Sequence, residues 1–132
     1  MRVDHVGLSV ADLDACAAFY ERAFEFKPEF QFELPGGIRG LMMRNAAGQR
    51  VELFEHPGAA PGILAEHPIE ALATRGYGHF ALAAADIDAP FQAALDAGAR
   101  AIVRPSASPE RGVRFAFMAD PEGNLIELVE RR

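Results

Sequence analysis

The sequence predicts an α+β protein built from two copies of one strand, helix and three-strand unit (βαβββ). Three observations carry this. A segment opening at His5, His-Val-Gly-Leu-Ser-Val-Ala-Asp-Leu-Asp-Ala, returns at His79 as His-Phe-Ala-Leu-Ala-Ala-Ala-Asp-Ile-Asp-Ala. The run Gly48-Gln49-Arg50-Val51-Glu52-Leu53 returns as Gly123-Asn124-Leu125-Ile126-Glu127-Leu128. Between these matches the apolar residues pass from a period of two to helical spacing and back to two, in the same order in both copies.

In the first copy Val3 to Val10 alternates, with Val6, Leu8 and Val10 on one side of a strand and His5, Gly7 and Ser9 on the other. Asp12 is placed to cap a helix whose apolar face is Leu13, Cys16, Ala17, Tyr20 and Phe24. Three strand-like runs follow, roughly 26–34, 38–45 and 49–55, parted by Pro35-Gly36-Gly37 and Ala46-Ala47-Gly48. Residues 57–76, interrupted by proline and glycine, break the periodicity and read as a linker with room for a short helical turn. The second copy then gives a strand over 77–84 and a helix over about 86–97. Gly98 lies beyond the helix end, and Pro90 is tolerable in the first turn, where amides have no helical acceptor. Strands near 100–104, 113–119 and 124–130 complete it, the last two joined by the turn Asp120-Pro121-Glu122-Gly123. The expected organisation is one domain over 1–132: module one 1–56, linker 57–76, module two 77–132.

Composition narrows the function classes. Half of the 132 residues are hydrophobic and the formal charge is −6, the balance of a soluble globular protein and a poor match to a polyanion such as nucleic acid. No uninterrupted apolar run approaches the ~18 residues of a membrane helix. Cys16 is the only cysteine, so no internal disulfide forms, and no apolar core of the signal-peptide kind follows Met1. A reducing cytoplasm is the expected compartment.

The same period of two locates the chemistry. Glu52 stands between Val51 and Leu53, and Glu127 between Ile126 and Leu128, so each carboxylate faces away from its helix-packed neighbours. His5 and His79 oppose their apolar stripes in the same way. If the two sheets curve toward each other, His5, Glu52, His79 and Glu127 converge. Two imidazoles and two carboxylates make a mixed nitrogen and oxygen donor set suited to a divalent ion, with zinc or nickel foremost and cobalt, manganese or iron(II) also accommodated. The remaining candidates read as structural: Cys16 as a small buried thiol, His56 and His67 as solvated linker residues, and most of Phe30, Phe32, Met42, Met43, Phe54, Phe115, Phe117 and Met118 as core. Those of the latter on the polar face are placed to line an apolar substrate pocket. Arg104, Arg111 and Arg114, around the 105–112 loop, are either a solvated face or a clamp for a substrate carboxylate or phosphate.

Taken together, His5-Val6-Gly7-Leu8, Phe19-Tyr20, Gly78-His79-Phe80 and the stretch from Asp120 to Leu128 resemble the glyoxalase, bleomycin resistance and extradiol dioxygenase superfamily, also called the vicinal oxygen chelate superfamily. The resemblance covers nearly the whole chain. It implies paired βαβββ modules forming a cupped mixed sheet, and the ligand order His5, Glu52, His79, Glu127 is similar to the metal set of glyoxalase I. It further implies a metal-dependent lyase or isomerase that works through a metal-bound enediolate on a small hydroxycarbonyl or thiol-adduct substrate. Glu127 is then the general base and Glu52 its pseudo-symmetric partner. Members commonly form homodimers, sometimes with ligands drawn from both chains. Glutathione-dependent members tend to carry an Arg four residues after the first ligand and an Asn four after the second, where this chain has Ser9 and His56.

Three other members of the superfamily are weighed against this. A methylmalonyl-CoA-type epimerase has Gln where Glu52 stands. An extradiol dioxygenase needs two histidines and one carboxylate on iron, and a second carboxylate occupies a position that oxygen or catechol requires. A non-catalytic binding protein of the bleomycin resistance kind generally lacks the ligands.

Overall fold

The computed structural model describes residues 1–62 and 64–132, and its contacts divide it into two compact units, Met1–Gly62 and Ile63–Arg132. The first unit contains β1 (Val6–Val10), α1 (Leu13–Phe24), β2 (Lys27–Leu34), β3 (Ile38–Arg44) and β4 (Arg50–Glu55). The second contains α2 (Pro68–Ala71), β5 (Phe80–Ala83), α3 (Asp88–Asp96), β6 (Arg100–Ala107), β7 (Val113–Ala119) and β8 (Leu125–Arg131). Each unit forms a four-stranded mixed sheet, in the order β1-β4-β3-β2 and β5-β8-β7-β6. The α+β class and the repeated βαβββ order are those the sequence predicts.

In both sheets the first strand lies parallel to the last, with Gly7 beside Glu52 and Ala81 beside Glu127, while the other pairings are antiparallel. A parallel pair needs a long crossover, and here the helix and two strands supply it. That pairing brings the residue before each first strand next to the middle of the last.

In the first unit, α1 begins where Asp12 Oδ1 accepts the N–H of Ala15 at 2.9 Å. It ends at Glu25, a non-glycine residue in the left-handed region at φ 58°, whose N–H donates to the Glu21 carbonyl. Leu13, Cys16, Phe19, Tyr20, Ala23 and Phe24 form its buried stripe, and α1 packs on β3 and β4. The sheet's inner residues Leu8, Val10, Leu41, Met43, Val51 and Leu53 are all buried as well. Full burial of a Leu or Phe side chain is worth about 1.5–3 kcal/mol, so this layer supplies most of the unit's cohesion.

In the second unit Ile87, the N-cap of α3, is buried together with Phe91 and Ala94 on the helix, which packs on β6, and Gly98 follows the helix end at φ 111°. Two strands differ from the sequence expectation. β5 is only four residues long, because its pairing with β8 starts at Phe80, after Gly76 and Gly78. β6 runs on to Ala107, through Pro105, which falls within a register shift between Val103 and Ser106 on an edge strand, where no ladder amide is required of it. The turn before β8 is held by Asp120, 3 % exposed, whose carboxylate accepts the N–H groups of Glu122 and Asn124 and the Asn124 side-chain amide, each at 2.9 Å. α2 realises the short helical turn expected in the linker, with His67 as N-cap. Among the described residues no helix is long and apolar enough to cross a membrane.

Candidate metal centre

Each unit brings one histidine to one glutamate. In the first, the ring of His5 projects from the start of β1 over β4, with Nε2 at 3.2 Å from Glu52 Oε2. In the second, His79 before β5 reaches Glu127 on β8, again Nε2 to Oε2 and again 3.2 Å. Each glutamate side chain is partly covered, 16 % and 21 % exposed, and each histidine stands more open. The alternation that pointed these side chains away from the helix is visible in the burial: Val51 and Leu53 flank Glu52, and Ile126 and Leu128 flank Glu127, all four at 1 % exposure or less.

Two atoms carrying lone pairs do not settle 3.2 Å apart unless a hydrogen or a metal ion stands between or beside them. A proton on Nε2 meets that need, and so does a divalent ion. With metal–ligand bonds of about 2.0–2.2 Å, the edge of a tetrahedral or octahedral coordination shell runs about 2.9–3.5 Å, so each pair is spaced as two neighbouring ligands of one ion. The donor chemistry and the spacing therefore fit the implied metal. Among the described residues no group of three or more His, Cys, Asp or Glu is gathered closely enough to hold an ion, so what the structure shows is two separate His–Glu pairs, one in each unit.

The surroundings of the two pairs differ. His5 Nδ1 lies 3.0 Å from Asp4 Oδ2. Asp4 also meets Arg50 at 3.4 Å, and Arg50 binds Glu29 at 2.8 Å, with Arg44 at 3.6 Å on the same carboxylate. The hydrogen bond from His5, with Arg50 adding its charge, holds the Asp4 carboxyl below the usual carboxylate range; Arg50 does the same for Glu29. In the second unit Gly78 precedes His79, whose ring instead meets Phe117 edge-on, centroids 4.9 Å apart.

The face bearing Glu52 carries aromatic rings. Phe54 lies opposite Gly40, and Phe32 and Phe30 continue across β2, with centroid spacings of 5.7 and 5.8 Å. The Phe32 ring lies directly over Gly40, since a Cβ there would sit 2.3 Å from Phe32 Cζ. Phe30 is half exposed on this face, the one whose residues are expected to be open rather than core. On the second sheet Phe115 and Phe117 occupy the matching face, 6.0 Å apart. Gly7, beside Glu52, leaves the space above the carboxylate open.

Sequence reasoning missed a second repeated set, on the helix side of each sheet. Arg39 bridges Glu55 at 3.2 Å and Asp14 at 2.9 Å, and Arg114 bridges Glu130 and Asp88, both at 2.9 Å. Arg114 is thereby engaged within its own unit and is not a free clamp for a substrate anion. The signal was present in the repeat itself, because Arg39 and Arg114, Glu55 and Glu130, and Asp14 and Asp88 occupy matching positions in the two copies. Cys16 is buried as expected, His56 is exposed with Nδ1–H donating to the Pro57 carbonyl at 2.8 Å, and His67 Nδ1 accepts the amide of Ile69.

The model of the Glyoxalase/Bleomycin resistance protein/Dioxygenase superfamily matches residues 2–128. The chain belongs to that superfamily. Within the superfamily's range it is similar, at 26 % identity over 98 % of both chains, to the uncharacterized protein YwbC of Bacillus subtilis. Among solved structures, a glyoxylase/bleomycin resistance protein/dioxygenase domain from Frankia is matched with a TM-score of 0.82 at 20 % identity, over 100 % of this chain and 93 % of that one. Glyoxalase I from Zea mays is matched with a TM-score of 0.77 at 23 % identity, over 98 % of this chain and 44 % of the maize protein. At these identities the structural matches speak for a shared fold.

Proposed function

We propose that this protein is a metal-dependent lyase or isomerase acting on a small hydroxycarbonyl or thiol-adduct substrate, with His5, Glu52, His79 and Glu127 as metal ligands. The observation that carries the reading is the pair of equal Nε2–Oε2 spacings of 3.2 Å, built by the same register in two different units. A divalent ion bound by these residues supplies Lewis-acid polarisation of the substrate carbonyl and neutralises its oxygens. Zinc or nickel suits two imidazoles and two carboxylates, and cobalt, manganese or iron(II) also fits.

The chain's own part is proton transfer. With substrate bound, Glu127 would take the proton from the carbon next to the carbonyl and return it to the neighbouring carbon, and Glu52, its counterpart in the first unit, would serve as a metal ligand. A carboxylate serving as both ligand and base keeps the centre's charge balanced, because the negative charge moving onto substrate replaces the one that protonation removes. Positioned proton transfer of this kind contributes about 10²–10⁴-fold. The rings of Phe32 and Phe54, on the face bearing Glu52, offer apolar contact to the substrate's remainder. Ser9 is exposed on β1 and His56 is turned to its own loop, so neither supplies the glutathione contacts of the better-known members. The superfamily's habit supports a homodimer with a small-molecule partner, the formal charge of −6 counts against nucleic acid, and Cys16, as the chain's single cysteine, suits a reducing cytoplasm.

The test combines metal analysis with proton exchange. Protein loaded with zinc, nickel or cobalt should exchange the α-proton of a hydroxycarbonyl or hemithioacetal substrate into D2O, and Glu127→Gln should abolish exchange while retaining more than half of the metal. Full exchange in Glu127→Gln would remove Glu127 as base. Metal that stays far below one ion per chain on titration, with no further loss in His5→Ala, would turn the reading to a binding protein. Oxygen uptake with catechols would turn it to a dioxygenase.

A further inference from the structure

The two copies place different side chains beside their glutamates. In β1 the residue level with Glu52 is Gly7, and in β5 the residue level with Glu127 is Ala81. Two places after each glutamate, on the same face, stand Phe54 and Val129. The first unit thus lacks a methyl group where the second has one, and carries a ring where the second has an isopropyl group. We propose that Gly7 is a specificity-determining residue: the space it leaves between the Glu52 carboxylate and the Phe54 ring receives a flat apolar group, an aryl substituent carried next to the substrate's hydroxycarbonyl. The proposal rests on the metal reading above and names a substrate class for it.

The size of the space follows from what a side chain there would meet. A Cβ at position 7 would lie 3.9 Å from Glu52 Oε2 and 3.9 Å from Phe54 Cε2, in ordinary van der Waals contact with both. At its floor the space is therefore one atom thick, which admits the plane of an aryl group and turns away a branched alkyl group. The same Glu52 oxygen faces His5 Nε2 at 3.2 Å, so a group lying over Gly7 touches the proposed ligand on one side and a ring on the other. On β3, Met42 is level with Glu52 and only 5 % exposed, so it covers the carboxylate's other flank and leaves the β1 side for a ligand.

The ring wall is held from behind. Phe54 meets Phe32 edge to face, with centroids 5.7 Å apart, and Phe32 lies over Gly40. A braced ring keeps its place while the space before it is empty, so little has to be ordered when a ligand enters. Burial of an aryl group against Phe54 removes apolar surface from water, and contact between rings adds to that gain, so an aryl group is preferred there over hydrogen.

The experiment uses the full chain loaded with cobalt(II) and two stable hydroxycarboxylates, mandelate and glycolate, which differ by one phenyl group. Calorimetry should find mandelate bound about 10-fold tighter than glycolate by the wild type. In Gly7→Ala, where a methyl group occupies the space, that ratio should fall toward unity while cobalt binding and the thermal midpoint are kept. Phe54→Leu, which removes the ring, should lower the ratio as well, and it decides the matter if Gly7→Ala does not fold. A wild type without preference for mandelate, or an undiminished ratio in the variants, would overturn the proposal. A metal-free arm separates it from the reading it rests on: benzyl alcohol titrated into the metal-free chain should shift the Phe54 ring signals in the wild type and leave them in place in Gly7→Ala. A wild type that bound no cobalt yet showed these shifts would defeat the metal reading and leave the aryl space standing, whereas no shift in the wild type would overturn the proposal.

Discussion

Glu55 Oε2 accepts the backbone N–H of Leu13 at 2.9 Å, tying the end of β4 to the first turn of α1 across 42 residues of chain. Glu130 does the same for Ile87 at the start of α3. An orphan amide at a helix start is satisfied from the sheet, and the negative carboxylate lies at the positive end of the helix dipole. Arg39 and Arg114 then lock each carboxylate to an aspartate in its helix's first turn.

This lock has a pH signature. The hydrogen bond from Arg114 holds the Asp88 carboxyl low, and Arg132, the Ile87 amide and Arg114 hold Glu130 low. Groups whose folded pKa is depressed contribute stability that is complete above the unfolded value, about 4, and is lost as pH falls through the folded value. Arg114→Met should therefore lower the urea midpoint at pH 7 and narrow the gap between pH 7 and pH 3. An equal loss at both pH values would show that Arg114 acts by packing alone.

Gly40 and Phe32 should be coupled. A methyl group at Gly40 meets the Phe32 ring, so Gly40→Ala must displace it, whereas in a Phe32→Ala background the methyl group has room. A double-mutant cycle by chemical denaturation should return a favourable coupling of about 0.5–3 kcal/mol. Additive losses would mean that the ring swings aside without cost.

The Asp120 carboxylate holds the turn into β8, the strand that carries Glu127, by three hydrogen bonds from Glu122 and Asn124. Asp120→Ala leaves those donors to find water and should destabilise the chain by about 1.5–3 kcal/mol, read as a lower urea midpoint at unchanged slope. Asp120→Asn, which keeps one accepting oxygen, should lose less.

Metal should stabilise the fold through the proposed ligands. An ion at ~100 times its dissociation constant adds about 2.7 kcal/mol if it binds only the folded chain. The thermal midpoint should rise with zinc or nickel in the wild type and lose that rise in the His5→Ala, His79→Ala double variant. A rise that persists in the double variant would place the ion elsewhere.

Much of this was legible because alternation and duplication reinforce one another. Period two set the faces of Val51, Glu52 and Leu53, and the repeat put one histidine and one glutamate of each copy on the face away from the helix, though it did not say which histidine meets which glutamate. The distances and the inequality of the pairs could not be anticipated, because Asp4, Arg50 and Glu29 meet only through the pairing of three strands. Glu130 was overlooked for a different reason. It falls on the apolar face of β8 by parity, and the Ile87 amide with the guanidinium groups of Arg132 and Arg114 explains a carboxylate there at 2 % exposure.

The parallel pairing of first and last strands has a further consequence, for the order of events as the chain folds. His79 and Glu127 stand 48 positions apart, and His5 and Glu52 are separated by nearly as much. Neither pair can close until the intervening helix and strands have condensed, since the entropy of so large a loop must be offset by contacts formed earlier. Ion capture by these pairs would then be a late event in each unit, and retention of the ion a sign that the unit's folding has been completed.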